Sequence, residues 1–94
     1  MDAVFKGNSL SNTTSMQYVD LVESFRNGHF INQDASIVVY IYPHLTATGT
    51  PDDTERMAIY PGEVKPFVST KGTIRYFGYK SASGTPVTTY QFLD

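Results

Sequence analysis

MAIYPGEVKPFVSTKGTIRYFGYKSASGTPVTTYQF, residues 57–92, is the stretch whose reading decides the fold. Turn punctuation at Pro61-Gly62, Lys71-Gly72 and Ser83-Gly84 cuts it into short runs of β-formers. Val64, Phe67, Ile74, Tyr76, Phe77, Tyr79, Val87, Tyr90 and Phe92 supply branched and aromatic side chains that suit a pleated, half-buried surface. The pattern predicts strands at 57–60, 64–69, 73–80 and 87–93. Pro66 inside the second of them argues for an edge position, or for a place where a backbone donor is not needed.

Upstream, Ser36–Tyr42 reads as a further strand that Pro43 ends. Ile37, Val39 and Ile41 lie on one face and Val38, Tyr40 and Tyr42 on the other, so both faces are expected to be covered, the second by another chain. Asn27-Gly28 and Asn32-Gln33-Asp34 read as turns around a brief strand at 29–31. Residues 15–26, SMQYVDLVESFR, read two ways. Met16, Val19, Val22 and Phe25 recur at helical spacing behind a capping pair, Thr14 and Gln17. Imperfect alternation of Val19, Leu21, Glu23 and Phe25 through the same residues fits a strand instead.

Residues 43–56, PHLTATGTPDDTER, are too long for an ordinary hairpin connection and read as a contact loop or a mobile one. Residues 1–15 end in SLSNTTS, show no period, and read as an N-terminal arm. The expected organisation is therefore an arm at 1–15 and a single domain at 16–94. Its class is all-β, a small antiparallel β-sandwich or jelly-roll-like domain, with one short helix near 15–26 as the alternative for that segment.

Ninety-four residues bury only about 60–65% of the unfolded surface, so the core is modest. Seven basic and nine acidic residues are scattered, giving a net charge of −2 and no basic stripe, which argues against nucleic-acid binding. No apolar run approaches the ~20 residues of a membrane helix, and no membrane partner is expected. There is no cysteine, hence no disulfide or thiolate site. Seven Tyr and six Phe accompany only 17% charged residues, a balance more typical of assembled subunits than of free monomers.

No cluster announces chemistry. Asp52, Asp53 and Glu55 have oxygen ligands, but their spacing matches no calcium loop. His29 and His44 stand apart, and no serine lies in a GxSxG elbow. The reading is no enzyme, with no catalytic residue, cofactor or metal. The tyrosines Tyr40, Tyr42, Tyr60, Tyr76, Tyr79 and Tyr90 suit either a stacking face for sugars or a β-core with subunit contacts.

From Phe25 onward the chain resembles small bacteriophage virion structural proteins of the head-decoration, spike-base and adaptor kind. The resemblance rests on an Asn/Asp turn (Asn32 to Ser36), the apolar run Ile37–Tyr42, a polar loop, the turn Pro61-Gly62-Glu63, the run Val64–Val68, and a Ser/Thr/Gly loop before the last strand. It implies a strand rather than a helix at Tyr18–Val22, a virion location, and a capsid decoration, cement or tail accessory subunit. It implies partners such as a major capsid protein and a homo-oligomer, a trimer first. Val4, Phe5 and Leu10 would anchor the arm, and Tyr40, Tyr42 and Tyr60 would contact subunits or the particle. The other reading is a β-sandwich carbohydrate-binding or adhesive module.

Overall fold

The computed structural model describes residues 5–45, 56–68 and 74–93. They form eight strands: β1 (Phe5–Ser11), β2 (Gln17–Phe25), β3 (Asn27–Asn32), β4 (Val39–Leu45), β5 (Met57–Ile59), β6 (Val64–Val68), β7 (Ile74–Ser81) and β8 (Val87–Leu93). These make two antiparallel four-stranded sheets, a first of order β1-β8-β3-β6 and a second of order β2-β7-β4-β5. The pairing is nested. β1 pairs with β8, β2 with β7, β3 with β6 and β4 with β5. The chain is thus one long hairpin rolled so that β8 also meets β3 and β7 also meets β4, which is the jelly roll.

The core between the sheets is aromatic. Phe25, Phe30, Phe77 and Phe92 are fully buried, beside Leu21, Val39, Ile41, Ile59 and Ile74. Phe30 meets Phe77 at 5.3 Å and Phe92 at 5.5 Å, both edge to face. Phe77 meets Tyr90 at 5.3 Å in the same geometry. Each such pair adds about 0.5–1.5 kcal/mol beyond the area it buries. Gly28 makes this packing possible, because a Cβ there would run into the Gln91 carbonyl and the Phe92 ring.

Several expectations change. Phe5–Ser11 is not part of an arm but β1, paired with β8 over its whole length, and Leu10 is buried in the core. Residues 15–26 contain no helix. β2 occupies them, and the helical spacing arises because a register irregularity between Asp20 and Phe25 interrupts the alternation. Asn27-Gly28 is not a turn either: both residues lie in β3, and the chain changes sheets at Arg26. The glycine serves close approach rather than a bend.

β4 starts at Val39, not Ser36, and continues through Pro43 to Leu45. Pro43 is tolerated because it falls where the register with β7 shifts, between Tyr42 and Leu45, and beyond the last pairing with β5 at Ile41. The face of β4 away from the core needs no second chain at Tyr42, which is 1% exposed within this chain alone. The edge position of β6 follows the Pro66 signal. The loop predicted at 43–56 and the turn at Lys71-Gly72 fall mainly outside the described residues.

Two local devices hold the strand ends. Tyr60-Pro61-Gly62-Glu63 is a tight turn in which the Glu63 N–H donates to the Tyr60 carbonyl at 2.9 Å and Gly62 takes φ 74°. The Asp34 carboxylate accepts from the N–H groups of Ser36 and Ile37, each at 2.8 Å. Those two backbone donors, Ser36 first, hold its pKa below the usual aspartate range. A carboxyl lowered in the fold contributes stability above its unfolded pKa and loses it as pH falls through the folded value. The melting advantage of the wild type over Asp34→Asn should therefore shrink as pH is taken down past about 3.9. A constant gap across that range would show that the charge is immaterial.

Candidate interaction surface

The two outer faces differ in chemistry, and the registers show how. On the first sheet the residues turned away from the core are Asn27, His29 and Ile31 of β3, Val64, Pro66 and Val68 of β6, Val87, Thr89 and Gln91 of β8, and Gly7, Ser9 and Ser11 of β1. Among these described positions there is no Asp, Glu, Lys or Arg. Val64 and Val68 are 57% and 65% exposed, and with Pro66 they form an apolar ridge along the β6 edge. Beside Gly7, Ser9, Thr89 and Gln91 the face dips into an open depression of about 320 Å³.

The outer face of the second sheet is aromatic and cationic. Tyr18, Gly78 and Tyr42 share one row, and Lys80, Tyr40 and Ala58 another. Three rings there are covered by the chain's own cations. The Arg56 guanidinium lies 4.2 Å above Tyr40, that of Arg75 5.0 Å above Tyr76, and the Lys80 ammonium 5.7 Å above Tyr42. Rings engaged in this way offer no bare stacking platform for a sugar. Tyr79 and Tyr90 lie inward, and burial pushes both phenols above the usual tyrosine range.

Of the contact residues expected from sequence, Tyr60 is exposed at 58%, Tyr40 is half-buried beneath Arg56, and Leu10 and Tyr42 are buried. Val4 lies outside the described residues, as does the side chain of Phe5. Asp52, Asp53 and Glu55 lie outside them as well, and so does the side chain of His44. His29 sits half-buried on the first sheet's outer face opposite Pro66. No group of three metal-ligating side chains occurs among the described residues.

The β2 edge carries a distortion. Val22 takes φ 69° with its side chain 64% exposed. Its N–H donates to Asp20 Oδ1 at 2.8 Å, and Arg75 clamps the same carboxylate through Nε at 3.0 Å and Nη2 at 3.3 Å. A left-handed conformation costs an L-residue about 1–2 kcal/mol, and glycine adopts it freely at an entropic cost of about 0.5–1 kcal/mol. Val22→Gly is therefore expected to stabilise the fold by up to about 1 kcal/mol, a gain of about 4–8 °C in Tm for a domain this size. An unchanged or lower Tm in a thermal melt would mean that the bulge carries no strain.

No protein-family model matches this sequence, and no curated protein does. Likeness appears in structure. The chain is similar to a subunit of Bacillus endospore appendages, described as a novel family of disulfide-linked pili. The TM-score is 0.62 at 9% identity, covering 97% of this chain and 86% of that one. It is also similar, at a TM-score of 0.47 and 14% identity, to a de novo designed double-stranded β-helix, over 97% of this chain and 99% of the other. At 9% identity the likeness to the appendage protein is one of fold. These 94 residues contain no cysteine, so no disulfide can form through them.

Proposed function

We propose that this chain is a structural subunit that acts by being held in an assembly, and that it performs no catalysis. The observation that carries the reading is the uncharged outer face of the first sheet, with its exposed Val64–Pro66–Val68 ridge. An exposed apolar strip without charges among the described positions is costly to leave in water and marks a contact surface. The likeness in fold to a protein of endospore appendages supports the reading at the level of architecture. Its specific form, following the resemblance to virion proteins, is a homo-oligomeric decoration or accessory subunit seated on a bacteriophage particle.

The general reading is tested by native mass. The full chain should be larger than a monomer by light scattering, and Val64→Lys with Val68→Lys should reduce assembly or particle binding while leaving Tm within a few degrees. A wild type that is monomeric and binds no particle at any concentration would overturn it. The virion form predicts that the chain travels with intact particles through a density gradient and labels on their surface with antibody. Recovery only in the free-protein fractions would overturn that form.

A further inference from the structure

We propose that two copies of this chain join through β1, edge to edge and antiparallel, so that the first sheets of both become one eight-stranded sheet. The inference rests on the structural-subunit reading and adds a self-contact at the sheet edge opposite the Val64–Val68 ridge. Sheet edges expose unpaired backbone groups, and proteins usually blunt them. Three of the four edges here are blunted. β5 is three residues long, β6 carries Pro66, and β2 is bent at Val22, where φ is 69° and the register with β7 shifts. β1 has seven residues, no proline, one charged side chain and an unshifted register with β8.

The direction of its backbone groups follows from two hydrogen bonds. The Asn12 N–H donates to the Pro86 carbonyl at 2.9 Å, so even-numbered residues of this segment face β8. The Ser9 N–H points away from β8 and donates to the Asn8 side chain at 2.8 Å, a local bond that pairing would exchange for a carbonyl of the second strand. Residues 5, 7, 9 and 11 therefore present donors and acceptors outward. Gly7 and Ser9 are small and exposed, which lets a second strand approach.

A second copy fits this edge in one register better than in others. A two-fold axis at Asn8 sets residue 5 opposite 11 and residue 7 opposite 9, which uses all four outward-facing residues of both strands. Lys6 then faces Leu10 of the other copy, so no like charges oppose each other. The uncharged outer face also runs unbroken across the junction. Such a contact is isologous and closes on itself as a dimer.

Asn8 would meet its own copy in a non-hydrogen-bonded pair, with Cα atoms about 4.5 Å apart, inside the range a disulfide spans. The chain has no other cysteine to confuse the result. Asn8→Cys should convert under mild oxidant almost wholly to a covalent dimer, whereas Thr14→Cys, exposed off the edge, should not. Ser9→Pro removes an edge donor that β8 does not use, and should give a monomer with strand-type circular dichroism. A dimer by native mass together with both outcomes supports the pairing. A trimer, a dimer untouched by Ser9→Pro, or an Asn8→Cys chain that fails to cross-link would overturn the β1 contact while keeping the subunit reading. A wild type monomeric throughout and unbound to particles would overturn both.

Discussion

Asn32→Leu is expected to destabilise the domain by about 3–5 kcal/mol, a large share of the roughly 5–14 kcal/mol available to a chain of this length. Asn32 is fully buried and ties four segments together. Its Nδ2 donates to the carbonyls of Ile37 at 2.7 Å and Ile59 at 2.9 Å, and its Oδ1 accepts from the Asp34 N–H at 3.0 Å. Its own backbone bonds Glu63 and Gly62. Leucine keeps the branching but is larger and apolar, and it takes this side chain's bonds away from the buried Ile37 carbonyl and the Asp34 N–H, each costing about 1–3 kcal/mol. Denaturant titration would read the loss as a lower midpoint at unchanged slope. A loss under 1 kcal/mol would mean that water replaces the side chain.

Gly28→Ala is expected to cost about 2–4 kcal/mol although it adds one carbon. φ is not the cause, since Gly28 is not among the left-handed glycines, Gly62 and Gly84. The added methyl meets the Gln91 carbonyl, which is ladder backbone, and the ring of Phe92, which is locked against Phe25, Phe30 and Phe67. Neither can retreat without opening β3 from β8 or loosening the aromatic cluster, and overpacking of this kind is penalised accordingly. Phe92→Leu in the alanine background should recover part of the loss. If Gly28→Ala melts like the wild type, the β3–β8 spacing is softer than the packing implies.

The C-terminal half was legible because its signals are local. Pro61-Gly62 makes a turn by fixed backbone preferences, Pro66 fits an edge by lacking a donor, and the run at 87–93 alternates cleanly. The N-terminal half was harder. β1 is polar and glycine-bearing, and only its pairing with β8, some eighty residues away in sequence, makes it a strand. Gly28 looked like a turn because the ring it accommodates lies in β8. Val22 broke the alternation of β2 and left a false helical spacing. The uncharged face was invisible for the same reason: Val64, Ile31 and Thr89 become neighbours only once three distant strands are in register. The buried role of Asn32 had one trace, its place at the head of the Asn-Gln-Asp turn.

β8 is last in order among the strands, yet it lies inside its sheet, between β1 and β3. Until it is in place, β1 has no partner at all and the core lacks Tyr90 and Phe92. As the chain leaves the ribosome, the second sheet can therefore form while the first waits, with the backbone of β1 and one side of β3 open. Closure joins segments nearly a full chain length apart, the kind of contact that makes folding slow. A stalled or shortened product would expose both strands at once, and association of unfinished chains competes with folding for as long as β8 is missing.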